Sequence, residues 1–154
     1  MFRGRYEHSV DAKGRIALPV RFREALAQRY DDARLVITMH LKDPCLVVYP
    51  LAEWEAFEEK LAKLSQLDPK VTMLRRMYVG MAHECTLDSQ GRVLVAPELR
   101  RDTALDGDAV WSGASRYVEL WSKSTYEKHM ASLRQQLDAG VMEDALAKLA
   151  ELGL

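Results

Sequence analysis

Asp11-Ala12-Lys13-Gly14-Arg15 returns 77 positions later as Asp88-Ser89-Gln90-Gly91-Arg92. Both copies read Asp-x-x-Gly-Arg and lie between short alternating apolar runs. Tyr6, His8 and Val10 precede the first copy, and Ile16 and Leu18 follow it; Cys85 and Leu87 precede the second, and Val93 and Val95 follow it. Asp at the first corner and Gly at the last fill a type I turn. Alternation on both sides predicts a β-hairpin around each turn. Successive side chains on a strand face opposite ways, so Ile16 and Leu18 facing a core would leave Arg15 facing out. Arg92 stands in the same relation to Val93. Each turn therefore offers one arginine in a fixed outward position.

The rest of the chain repeats with the turns. After Leu18-Pro19, the residues Phe22, Ala25, Leu26 and Tyr30 have helical spacing, and Asp31-Asp32 ends the run. Leu35–Met39 and Cys45–Tyr49 read as strands around a Lys42-Asp43-Pro44 turn. Leu51 to about Leu67 reads as an amphipathic helix with Trp54, Phe57, Leu61 and Leu64 on one side. Asp68-Pro69 opens a further helix that stops near Gly80. In the second half Pro97 opens a short helix, Glu98-Leu99-Arg100-Arg101, which answers Arg21-Phe22-Arg23-Glu24. Ala109–Trp111 and Arg116–Trp121 are the matching strands, and Ser124-Thr125 would cap the matching helix. The expected fold is α+β: two β-hairpin, barrel-like repeats joined as a pseudo-dimer within one chain, flanked by helices. The expected boundaries are 5–67 and 81–137 for the repeats, 68–80 for a connecting helix and 138–154 for a final helix. Gly140 opens that last amphipathic segment, which either packs on the body or reaches a neighbouring subunit.

Composition narrows the function. The chain has 154 residues and is 48% apolar, enough for a real core. No apolar run approaches the ~18 residues of a membrane span, and the N-terminus lacks the apolar centre of a signal peptide, so a cytoplasmic protein is expected. Cys45 and Cys85 are far apart among apolar neighbours and are expected to be reduced. Net charge is −1, but it is polarised. Residues 1–30 carry Arg3, Arg5, Lys13, Arg15, Arg21, Arg23 and Arg29 against Glu7, Asp11 and Glu24; residues 138–154 carry Asp138, Glu143, Asp144 and Glu151 against Lys148. A chain so divided can offer a basic face to an anionic partner.

Catalysis has little support. His83-Glu84-Cys85 lies on an expected strand, where neighbours face opposite sides and do not converge on one ion. There is no His-Glu-x-x-His, phosphate loop or Gly-x-Ser-x-Gly, and His40 and His129 have no partners at ligand spacing. No metal or other cofactor is expected.

The opening Met1-Phe2-Arg3-Gly4-Arg5-Tyr6-Glu7-His8, followed by Asp11-x-Lys13-Gly14-Arg15-x-x-Leu18-Pro19, resembles the MraZ family. These are bacterial transcriptional regulators of the AbrB-like, swapped-hairpin class. The paired Asp-x-x-x-Arg motifs are the family signature, and the resemblance covers nearly the whole chain. It implies binding to double-stranded DNA upstream of a cell-division and cell-wall gene cluster that includes the regulator's own gene, more often repressing than activating. It also implies a ring-shaped homo-oligomer and a nucleoid-associated, cytoplasmic location. The second motif departs from the first, with Gln90 in place of Lys13 and Val95-Ala96-Pro97 in place of Ala17-Leu18-Pro19.

A two-stranded ribbon is narrow enough for the major groove, where arginine can bond both acceptors of a guanine edge. Arg15 and Arg92 are the candidates for base contact. Lys13, inside the first turn, is placed for phosphate, Gln90 is the DNA-contact candidate at the same place in the second, and Arg3, Arg5, Arg21, Arg23 and Arg75-Arg76 are candidates to track the backbone. Asp11 and Asp88 are read as turn formers. The competing reading is that Arg15 only pairs with Asp11 across its own turn; the repetition and the basic surroundings favour DNA contact. Other classes left open are an antitoxin of the same hairpin class and a ring-forming assembly protein without DNA. Head-to-tail contacts between such chains close into rings, which predicts a target of short direct repeats rather than a palindrome.

Overall fold

The computed structural model describes residues 1–153. One compact unit spans Met1–Lys123, and a second begins at Ser124. The first contains strands β1 (Arg5–Ser9), β2 (Arg15–Ala17), β3 (Arg34–Met39), β4 (Leu46–Pro50), β5 (His83–Thr86), β6 (Arg92–Leu94), β7 (Asp108–Ala114) and β8 (Tyr117–Ser122). Its helices are α1 (Val20–Tyr30), α2 (Leu51–Ala62), α3 (Pro69–Leu74) and α4 (Pro97–Asp102), with a π turn over Arg75–Val79 continuing α3. Helices α5 (Lys123–Asp138) and α6 (Glu143–Glu151) follow.

Among the described residues eight strands form two sheets. Six are ordered β1-β7-β8-β4-β3-β5, and β2-β6 form a separate ribbon. The alternation predicts hairpins whose arms pair with each other. The arms instead exchange: β1 pairs antiparallel with β7 of the other repeat, with Tyr6 opposite Trp111, and β5 pairs with β3, with His83 opposite Ile37. Between the arms of each hairpin the backbone is joined by a hydrogen bond from the N–H of the turn's first residue to the carbonyl of its last: Asp11 to Arg15 (2.8 Å) and Asp88 to Arg92 (2.9 Å). The reason is register. Local pairing would satisfy only a few backbone groups, whereas the exchange extends a sheet whose β7 and β3 edges would otherwise stay unpaired. The α+β pseudo-dimer stands, and its hairpins are swapped. The approximate two-fold axis runs through the ribbon, where Ile16 faces Val93, and between β4 and β8, where Val47 faces Glu119.

Strand alternation builds a core on each face of the sheet. Leu35, Ile37, Leu46, Val48, Ala109, Trp111, Val118 and Leu120 face one way. They pack with Ile16 and Val93 from the ribbon, with Phe22 and Leu26 from α1, and with Leu99 from α4. Trp111 is fully buried, and its indole N–H donates to the Ala17 carbonyl at 3.0 Å, tying β7 to the strand of the first motif. On the opposite face Val36 and Val47 pack with Leu51, Trp54 and Tyr78. The buried Thr38 hydroxyl donates to the Tyr78 carbonyl at 2.7 Å and fixes the π turn there.

Several boundaries differ from the sequence expectation. Helix α2 ends at Ala62 rather than near Leu67, because Lys63 and Leu64 turn tightly onto the Lys60 and Leu61 carbonyls. Leu64, expected on the buried side, is exposed, and so is Leu67. The helix expected through Gly80 widens into the π turn, closed by Gly80 N–H on the Arg75 carbonyl, which brings Tyr78 to the second core. Helix α5 starts at Lys123, so Ser124 and Thr125 lie inside its first turn. Cys45 is buried, Cys85 is partly buried, and both are free thiols; burial pushes Cys85 up to about 12 and Cys45 higher still. In the second unit Gly140 has φ +76°, and α6 has no buried residue.

Residues 1–80 carry β1 and β3 without their partners β7 and β5, and β2 without β6. As an isolated fragment they should fold only as a two-fold dimer, with β2 of one copy on β2 of the other. Sedimentation should show a concentration-dependent dimer; a folded monomer would disprove the need for exchange.

Candidate nucleic-acid interface

The two turns are built alike, bond for bond. Gly14 N–H donates to the Asp11 carbonyl at 2.9 Å, as Gly91 N–H does to the Asp88 carbonyl. Asp11 Oδ1 accepts the N–H groups of Lys13 (3.0 Å) and Arg15 (2.9 Å), and Asp88 Oδ1 accepts those of Gln90 (2.8 Å) and Arg92 (2.9 Å). The other carboxylate oxygen of each takes the arginine Nε, at 2.8 Å from Arg15 and 2.9 Å from Arg92. Gly14 and Gly91 have φ of +84° and +72°, the left-handed region in which glycine is unstrained.

The ribbon brings the two motifs together. Arg15 lies opposite Leu94, and Ala17 opposite Arg92. Since Ile16 and Val93 point inward at 0% and 1% exposure, Arg15, Ala17, Arg92 and Leu94 share the outward face. Arg15 and Arg92 are thus diagonal neighbours, about 7–8 Å apart across the ribbon. Their side chains are 34% and 26% exposed. The pairing of each arginine with its own aspartate, one of the two readings left open by the sequence, is present. It engages the Nε of each arginine. Exposed ion pairs contribute about 0–1 kcal/mol, and a bidentate arginine–guanine contact discriminates by about 1–3 kcal/mol. The aspartates therefore orient the arginines without locking them away.

The surrounding polar and charged residues fall into four groups. Lys13 and Gln90 are exposed at the turn tips. Arg5 pairs with Glu7 at 2.9 Å and Arg21 with Glu24 at 3.6 Å, while Arg3 and Arg21 line an open cleft of about 550 Å³ with Tyr6, Phe22 and Arg29. Arg23 and Arg100 are half-buried, each against a motif glycine. Arg75 is directed elsewhere: its Nη2 donates to the Leu61 carbonyl at 3.0 Å, covering the end of α2, while Arg76 is exposed. Arg100 was not among the contacts expected from sequence, although its position 77 residues after Arg23 pairs the two. His8 lies near Arg23; burial and then that charge hold its imidazole below the usual range. Among the described residues no group of three or more His, Cys, Asp or Glu could hold a metal ion, and no helix is long and apolar enough to cross a membrane.

The family model for the MraZ protein, described as antitoxin-like, matches residues 1–77 and again 78–147. The chain is 42% identical over 154 residues to the "Transcriptional regulator MraZ" of Desulfitobacterium hafniense, covering the whole of both. It is 44% identical over 130 residues to the protein of that name in Shewanella denitrificans, covering 84% of this chain and 85% of that one. It is 38% identical over 153 residues to the Hydrogenovibrio crunogenus protein of the same name, covering 99% and 98%.

The N–H of Arg15, then its guanidinium and the N–H of Lys13, hold the Asp11 carboxyl below the usual carboxylate range; Asp88 is depressed in the same way by Arg92 and Gln90. NMR titration should give both aspartates midpoints below the ~3.9 of a free side chain. The sign follows from the depressed values: the turns' contribution to stability is complete above ~3.9 and is lost as pH falls through the lower folded midpoints. Asp11→Asn with Asp88→Asn should therefore melt below the parent protein at neutral pH, and the gap should close in acid.

Proposed function

The chain belongs to the MraZ family, and from that premise we propose that it is a transcriptional regulator that reads double-stranded DNA with the outward face of the β2–β6 ribbon. The observation that carries this reading is the presence of Arg15 and Arg92 on that one face, each held by an identical aspartate turn. A two-stranded ribbon fits a major groove about 12 Å wide. Arg15 and Arg92 contact guanine edges. Lys13, Gln90, Arg3, Arg5 and Arg21 meet phosphates, whose sequence-independent attraction supplies affinity but no selectivity. Lys13 brings a charge that Gln90 lacks, so the first motif binds more strongly.

The relatives' shared name supports a role in transcription. The family resemblance supports repression of the promoter of a cell-division and cell-wall operon that contains the regulator's own gene, by a nucleoid-associated protein in the cytoplasm. The chain holds its own pseudo-two-fold pair and has no need of a symmetric dimer to complete its fold. Exposed Leu133 and Leu137 on α5 and Leu146 and Leu149 on α6 supply apolar surface for contacts between copies. Head-to-tail contacts close into a ring, and subunits of a ring meet DNA in one orientation. The target is then a set of short direct repeats spaced by about one helical turn, ~10 bp.

Arg15→Ala should weaken specific binding by about 1–3 kcal/mol, and Arg92→Ala somewhat less, with melting temperature little changed. Gel shifts on the selected site check both; unchanged binding would remove the contact role. Affinity should also fall log-linearly with salt. A flat response over a fourfold salt range would instead support a ring-forming protein that does not bind DNA. Selection from random DNA should recover direct repeats, and an inverted repeat would refute the ring-based arrangement alone.

A further inference from the structure

The motif glycines are enclosed by the opposite repeat. A Cβ on Gly14, in the first motif, would lie 2.7 Å from Cζ of Arg100, which comes from α4 of the second repeat. A Cβ on Gly91, in the second motif, would lie 2.8 Å from Cζ of Arg23, which comes from α1 of the first repeat. Both glycines are buried, although each sits in a turn whose other tip residues are largely exposed. The space beside each turn is therefore filled by a guanidinium from the other half of the molecule.

Backbone bonds cross in the same sense. Val95 N–H donates to the Gly14 carbonyl, and Leu18 N–H to the Gly91 carbonyl, both at 2.9 Å. Arg100 Nε donates to the Val95 carbonyl at 3.1 Å, so Arg100, Val95 and Gly14 form one hydrogen-bonded chain ending at the first turn. The equivalent chain through Leu18 is incomplete: Arg23 Nε is buried and has no hydrogen-bond partner among the described residues.

We propose that Arg23 and Arg100 are crossed positioning residues: each belongs to one repeat and holds in place the base-reading turn of the other. The proposal rests on the DNA-reading function above and adds which side chains set the aim of Arg15 and Arg92. A guanidinium packed against each glycine, with Nε tied at Arg100 to the Val95 carbonyl just past β6, prevents the turn from rocking about the ribbon. Lysine has the charge but not the planar fork, and would not reproduce this. The complete chain at Arg100 makes the first motif the better held of the two.

Two single-reader backgrounds test the crossing. In Arg92→Ala, where Arg15 alone reads bases, adding Arg100→Ala should lower the ratio of affinity for the selected site over scrambled duplex by about tenfold. The salt slope should not change, and adding Arg23→Ala should leave the ratio intact. In Arg15→Ala the pattern should invert, with Arg23→Ala the harmful change and a smaller loss. Equal effects of both, or the uncrossed pattern, would overturn the proposal. A uniform loss on all sequences with a shallower salt slope would also overturn it, assigning these arginines to phosphate. Should an alanine variant fail to fold, Arg100→Lys and Arg23→Lys keep stem and charge; they should give the same crossed loss, and a fully retained ratio would refute the idea. If Arg15→Ala and Arg92→Ala together leave the ratio of the parent protein unchanged, the DNA-reading function fails on its own, and the crossing fails with it.

Discussion

Ile16 and Val93 face each other at the centre of the ribbon, almost wholly buried, and the rest of the molecule is arranged by that pair. Burying each of these side chains stabilises the fold by about 1.5–3 kcal/mol. Their larger effect is on register. Side chains on a strand alternate, so slipping either strand by one residue would turn Ile16 or Val93 outward and Arg15 or Arg92 into the core. An unpaired guanidinium there would cost several kilocalories per mole, far more than any slipped pairing could regain. The apolar contact inside the ribbon thus determines that both arginines stand outside it.

The same logic explains what could be read in the sequence. The turns were legible because Asp and Gly at fixed offsets have a stereochemical meaning, and the outward arginines were legible because strands have a period of two. The repeated order of elements was legible from the offset between motifs. The exchange of arms was not: Tyr6, His8 and Val10 alternate in the same way whether their neighbour is β2 or β7, because periodicity records which face is buried and not which strand lies alongside. The family resemblance, not the pattern, pointed to swapped hairpins. The roles of Arg23 and Arg100 were hidden for a related reason. A half-buried arginine on a short helix resembles a solvated one until the opposite repeat is in place. Leu64 shows the reverse error, an apolar residue in helical phase that the helix does not reach.

Joining the two halves in one chain lets them diverge. In a homodimer each substitution would appear twice, on both sides of the axis. Here Tyr6 is answered by His83, and Arg21 by Glu98, and those second-repeat residues pair with each other at 3.0 Å. Lys13 is answered by Gln90. One side of the pseudo-dimer is therefore more basic than the other, while the aspartate–arginine turns remain the same to within about 0.2 Å. What has been kept is the geometry that aims two guanidinium groups, and what has changed is the charge around them.

The exchanged arms also have a consequence for biosynthesis. Arg5 pairs with Ser112, and Ser9 with Asp108. Strand β1 emerges from the ribosome early, yet its partner follows roughly 100 residues later, about 5–20 s at ordinary elongation rates. Throughout that interval the first repeat is a nascent chain with an unmatched edge, able to pair with the same segment of a neighbouring polypeptide on the same message. The charges on β1, Arg5 and Glu7, face outward in the finished protein, and on the nascent chain they oppose such premature pairing, as charged residues do on edge strands.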